Sequence, residues 1–342
     1  MTTSTVSAAA SSNGVQGPNA RSLGQLWQVP AFFIGAIALA LVAAAAPLAP
    51  RGDDMPLDQD LLTVRRALEK PGLLPDDVVA LAESTVAHAN RQPDRAGEAH
   101  FLLGAVYLRQ AERHSPPDKK REERDKAGMH LELAELRGVP EADVARLTYL
   151  RGKVAFLVAA NMPRAIELLS KSLPGGADNA AEGYAMVVQA HLQGTPPDLD
   201  AALAANLKQM EFIDDDVMMA QTRLLRGELL LKKGQRTEAI NFLEAIGPKA
   251  PQDLRLKARL LQATAAMEEH LWGQAIGWWT ELLPYPQTVA GGKGRILYNI
   301  GLCCAHHEPP NHDKEAITAW RETQLYGNEE AQAAALRLAE LR

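Results

Sequence analysis

Beyond residue 56, apolar positions recur every three or four residues within Leu- and Ala-rich stretches of roughly 12–18 residues. Short breaks containing Pro, Gly or Asp separate them: Pro71-Gly72, Pro93, Pro116-Pro117, Pro140, Pro174-Gly175-Gly176, Pro196-Pro197, Pro248 with Pro251, Pro284 with Pro286, and Pro309-Pro310. Breakers at this spacing leave room for helical hairpins and little else, because each stretch is long enough for three to five helical turns and each break ends one.

The N-terminal part has a different pattern. Residues 1–24 are mostly Ser, Thr, Ala, Gly and Asn, with too little apolar periodicity to build a core, and read as a disordered tail. No charged residue lies between Arg21 and Arg51, and residues 29–49 are almost wholly apolar. Twenty-one helical residues reach roughly 31 Å, the thickness of a hydrocarbon core, so residues 27–49 are expected to form a transmembrane helix. Trp27 stands where an interfacial aromatic would, and Pro47 with Pro50 would end the helix. The competing reading is a cleaved signal peptide, with residues 32–42 as its apolar region and the alanines at 43–46 as cleavage sites. Arg21 with no acid on one side, against Arg51 offset by Asp53 and Asp54 on the other, favours a single-pass protein with its large C-terminal part outside the cytoplasm.

Five phrases in the remainder can be superposed through Ala165, Ala202, Ala239, Ala275 and Ala316, which are 37, 37, 36 and 41 residues apart. A period in this range marks a solenoid. With a small residue in the preceding helix and a bulky one four places after the alanine, the chain resembles the tetratricopeptide repeat family. The fullest copy has Gly227, Leu230, Gly234, Ala239, Leu243 and Pro251. Poorer copies are Gly104 with Tyr107, Gly152 with Ala165 and Leu169, Ala263 with Ala275 and Trp279, and Gly301 with Cys304, Ala316 and Trp320. The copy at 178–210 has no clear Gly in its first helix, the one opened by Gly104 carries an insertion from His114 to Arg124, and the last has extra residues at Pro309 to His312. The expected architecture is therefore all-α: an α-solenoid behind one transmembrane helix. Residues 50–93 would form a linker and leading helical pair, 94–327 the repeats, and 328–342 a capping helix with Leu336, Leu338 and Leu341 turned inward.

The resemblance implies a concave groove, lined by first helices, that holds a peptide or helix of a protein partner. Counted from the small residues, it places Phe101, Arg146, Tyr149, Lys153, Tyr184, His191, Gln221, Leu224, Glu228, Lys257, Arg295 and Tyr298 on that face. The Lys and Asn arrangement with which family members clamp a C-terminal carboxylate is not visible. The function expected is a membrane-anchored scaffold within an envelope complex, touching the bilayer through residues 29–49. The alternative is an assembly factor that self-associates as a homo-oligomer with its groove empty.

Composition sharpens this picture. Alanine fills 57 of 342 positions while aromatics make up 5%, a bias toward helix and against strand. Lys and Arg total 36 against 42 acidic residues, with no basic block, so the footprint of a nucleic-acid binder is lacking. Cys303 and Cys304 are adjacent and define no disulfide framework. They stand near His306, His307 and His312, but adjacent side chains on a helix diverge by about 100°, and Cys304 falls in a core slot, so structural use is expected over a metal site. Asp214-Asp215-Asp216 reads as a helix cap, and Asp118 to Lys126 as a solvated helix face. There is no phosphate-binding Gly-rich loop, no His-Glu-x-x-His and no Gly-x-Ser-x-Gly; neither a cofactor nor an enzymatic activity is expected.

Overall fold

A computed structural model describes residues 55–340 apart from 71, 73, 114–115, 160 and 308–312. The apolar stretch at 29–49, His114, Pro309, Pro310, His312 and Leu341 lie outside the described residues, and no helix among the described residues is long and apolar enough to cross a membrane.

Every regular element described is helical. In chain order the α-helices are α1 (Met55–Glu69), α2 (Asp76–Ala89), α3 (Pro93–Arg113), α4 (Pro117–Arg137), α5 (Val144–Val158), α6 (Met162–Ser172), α7 (Ala180–Leu192) and α8 (Leu199–Met210). Then follow α9 (Asp216–Lys232), α10 (Arg236–Glu244), α11 (Gln252–Glu268), α12 (Trp272–Leu282), α13 (Gly292–His306), α14 (Asp313–Thr323) and α15 (Glu329–Glu340). Residues 57–342 form one compact unit.

Six hairpins repeat through it: α3 packs on α4, α5 on α6, α7 on α8, α9 on α10, α11 on α12 and α13 on α14. Each second helix then packs on the next first helix, and several first helices also touch one another, α3 with α5, α5 with α7 and α9 with α11. This nearest-neighbour stacking is that of a solenoid. Within the segment His114 to Arg124, residues 117–124 are the start of α4, and the first hairpin has two helices of 21 residues each.

The five periodic alanines, Ala165, Ala202, Ala239, Ala275 and Ala316, have no exposed surface. They sit where hairpin partners approach closest, and a larger side chain would hold the axes apart. The facing position is equally tight, since a Cβ on Gly227 would lie 2.5 Å from Leu243 Cδ2. In the α7–α8 hairpin, Ala190 takes this position: it is fully buried and precedes Ala202 by the twelve residues that separate Gly227 from Ala239.

Side-chain caps fix several helix starts. Asn161, Asn179, Asp198 and Asp215 accept from the backbone N–H three residues on, at 3.0, 3.2, 2.9 and 2.7 Å. Within the acidic triplet it is therefore Asp215 that caps α9.

The last helix departs from expectation. Ala331 and Ala334 are buried and Leu338 packs beside Cys304, Ala316 and Trp320, whereas Leu336 is exposed. Two residues on a helix are turned about 200° apart, so Leu336 and Leu338 cannot share a face. Alanines take the inner positions expected of leucine.

Candidate partner-binding groove

Helix α1 shapes the first-helix surface at its N-terminal end. Leu57, Leu61 and Val64 recur at helical spacing and are all buried, in the same core cluster as Phe101, Ala105 and Leu108 of α3. Arg65 donates through Nη1 and Nη2 to both oxygens of Asp143, at 2.8 and 2.7 Å, and Nη2 also reaches Glu98 at 2.7 Å. Arg109 donates to the carbonyls of Leu68, at 2.7 Å, and Lys70 at the end of α1. Glu98 and Arg109 are eleven residues apart, just over three whole turns, so they mark one stripe of α3 on which α1 lies. Phe101 and Ala105 fall along that stripe. Buried apolar side chains contribute about 2 kcal/mol each, which makes α1 a resident part of the array.

Where α1 ends, a cleft of about 490 Å³ opens between its last residues, α3, α5 and the start of α7. Arg146, Tyr149 and Lys153 line it from α5, Glu112 from α3, and Asp178 with Glu182 from the α7 side. Lys153 Nζ lies 2.9 Å from Glu182 and 3.3 Å from Glu112, and Arg146 lies 3.1 Å from Asp178. Burial alone would lower the Lys153 pKa, but the two carboxylates outweigh it and the ammonium is held above its ordinary value. Burial pushes the Tyr149 phenol up to about 12.

The twelve residues assigned to the groove thus fall into distinct environments. Arg146, Tyr149 and Lys153 are brought together in the cleft. Phe101 lies in the core beneath α1, and Leu224 in a cluster with Leu243 and Leu254. Tyr184 stacks on Phe212 with ring centroids 5.6 Å apart, and His191 is half-buried, its carbonyl accepting from Asp198 N. Gln221 and Glu228 on α9 and Lys257 on α11 are exposed on adjacent first helices. Arg295 pairs with Glu330 of α15 at 3.1 Å, and Tyr298 is half-buried in the cluster that also holds Leu338. Sequence reasoning missed the covering of the α3 end. The amphipathic spacing of Leu57, Leu61 and Val64 was a visible signal for a docking helix, but nothing local pairs Arg65 with a residue 78 positions away.

No protein-family model matches the sequence, and neither does any curated protein. Among solved structures, the chain is similar to pilF of Pseudomonas aeruginosa, with 16% identity, TM-score 0.39, and coverage of 69% of this chain and 95% of that one. It is also similar to a signal-transduction ATPase with a tetratricopeptide repeat sensor from Pyrococcus horikoshii, at 15% identity and TM-score 0.37 over 90% of this chain. The match spans 46% of that ATPase's length. A third similar structure is the P58(IPK) TPR domain, with 12% identity, TM-score 0.29, and coverage of 83% of this chain and 98% of that one.

Of the cysteine and histidine cluster, the two cysteines pack in the core, and His312 lies outside the described residues. Cys303 and Cys304 are both buried free thiols, and burial pushes Cys303 up to about 12. Trp272 stacks on His306 at 4.9 Å and lies against His270 at 5.1 Å, on the surface where α12 begins and α13 ends. Among the described residues no group of three His, Cys, Asp or Glu is placed to hold a metal ion.

Proposed function

We propose that the chain is a membrane-anchored scaffold whose helical array docks a protein partner along its first-helix face, within an envelope complex. The observation that carries this reading is the contrast along that face. Its α3 end is covered by α1, while α9 and α11 present Gln221, Glu228 and Lys257 to solvent on neighbouring helices with no helix of the chain over them among the described residues. Stacked hairpins bury their core against one another and leave such a surface free for recognition. Anchoring rests on the 21 apolar residues at 29–49 and their length. The test is recovery of partners from crosslinked membranes by the intact chain, compared with Lys257→Glu. Loss of a partner with the charge reversal supports the reading; recovery unchanged by it counts against the groove.

A second reading is self-assembly through the C-terminal end, favoured by Leu325 and Leu336, which are large, apolar and exposed there. Under it, Leu336→Lys would reduce oligomer size in sedimentation while partner recovery stayed the same.

A further inference from the structure

The cleft between α1, α3, α5 and α7 combines two features that point to one ligand chemistry. Two of its cations are recessed and already paired, since the side chain of Lys153 is 14% exposed and that of Arg146 30%, and Arg109 is engaged with the Leu68 and Lys70 carbonyls, which leaves Lys70 as the exposed cation at the α1 end. Its carboxylates face outward: the side chains of Glu112, Asp178 and Glu182 are 60%, 75% and 50% exposed. Each carboxylate has about four acceptor sites, so contact with a cation on the inner side leaves acceptors directed at the cleft mouth.

The second feature is Tyr149. The residue is 4% exposed and lines the cleft, and its hydroxyl makes no hydrogen bond to any described residue. The charges that act on that hydroxyl belong to Lys153, Glu182, Asp178 and Glu112, four of the charged groups that line the cleft. A phenol whose ring is buried and whose hydroxyl is not tied to the described residues, inside a rim of outward carboxylates, offers an acceptor to a ligand that brings donors.

We propose that this cleft receives a basic side chain, lysine or arginine, from an extended segment of the protein partner. A guanidinium carries five donors in a plane and can engage two rim carboxylates and the Tyr149 oxygen together, while the phenol O–H donates to a backbone carbonyl of the same segment. An anionic ligand would instead have to displace Glu112 and Glu182 from Lys153 or rely on Lys70 at the α1 end, in either case facing the rim carboxylates, so the geometry disfavours it. The proposal rests on the groove reading above and adds to it a location and a partner charge.

The test uses the full chain and a fluorescein-labelled peptide of alternating Arg and Ala, with an alternating Glu and Ala peptide as its counterpart, read by anisotropy. The Arg peptide is expected to bind and to weaken as salt is raised. The double variant Glu112→Gln, Asp178→Asn changes only exposed groups and should raise its Kd about tenfold, and Tyr149→Phe about threefold, while Glu329→Gln at the far end changes nothing. Tighter binding of the Glu peptide, no binding of the Arg peptide, or a Kd unaffected by the double variant overturns the assignment. A partner that loses binding with Lys257→Glu but ignores the double variant and Tyr149→Phe overturns this assignment alone and leaves the groove reading standing.

Discussion

Arg65 on α1 grips Asp143 at the start of α5 with both guanidinium arms, 2.8 and 2.7 Å from the two carboxylate oxygens. The pair joins helices 78 residues apart and also engages Glu98 of α3, so one side chain fastens α1 across the first two hairpins. The Asp143 and Glu98 side chains are nearly buried while Arg65 is partly exposed. Replacing Arg65 with Met should therefore cost about 2 kcal/mol, below the full penalty for breaking a buried pair because solvent reaches Arg65. Urea unfolding of the two proteins measures this. Faster tryptic cleavage after Arg66, on α1 itself, would locate the loosening there.

An imidazole pair, His100 buried and His130 half-buried, links α3 and α4. His100 Nδ1 lies 2.8 Å from His130 Nδ1, with the rings stacked at 5.1 Å. One nitrogen must donate and the other accept, so the pair is held only while one of the rings is neutral. Burial, then the charges of His130 and Arg137, lower the His100 pKa from 6.5 to about 4, and burial lowers His130 as well, with Glu83 opposing. The folded state thus binds fewer protons than the unfolded one between those values. The stability contributed by neutral His100 is complete above about pH 6.5 and is lost as pH falls toward 4, about 2 kcal/mol by pH 5. His100→Gln should flatten this slope in urea titrations at pH 7, 6 and 5.

Two glycines predict opposite outcomes for the same substitution. A Cβ on Gly97 would lie 1.6 Å from the Gly138 carbonyl oxygen, a backbone atom with no room to move aside, so Gly97→Ala should destabilise by about 3 kcal/mol. Gly277 is an exposed position within α12, and a Cβ there meets nothing within 4 Å. Gly277→Ala should stabilise by about 0.5–1 kcal/mol through helix propensity. Thermal melts of the pair check both signs.

Burial holds the Cys303 and Cys304 thiols above their ordinary pKa, so neither is poised as a thiolate at neutral pH. Reaction with a disulfide reagent should be slower in the folded protein than in urea by on the order of a hundredfold. The double variant Cys303→Ala, Cys304→Ala should lose about 1 kcal/mol per site, with bound metal unchanged by elemental analysis.

The sequence was most readable where one residue type had a single packing reason. Ala165, Ala202, Ala239, Ala275 and Ala316 announced the hairpin seam at a fixed period, and all five are buried there. It was least readable where a neighbour remote in sequence decides the environment. The family resemblance places Phe101 and Tyr149 alike on the groove face; α1 and its core cluster hold the first, and a cleft reached from four helices holds the second. Leu336 shows another limit: an apolar residue in a short terminal helix can face either way, and the buried alanines Ala331 and Ala334 decided it.

The central claim, that a partner docks on the first-helix face, is tested most directly by photocrosslinking from single positions in the intact, membrane-bound chain. A photoreactive residue replacing Gln221, Glu228 or Lys257 would be compared with the same residue at Gln274 or Thr280, exposed positions on the second helix α12. The account predicts one common partner band from the three first-helix positions and none from the α12 positions. Crosslinks to that partner from α12 alone, or equally from both sets, would contradict it.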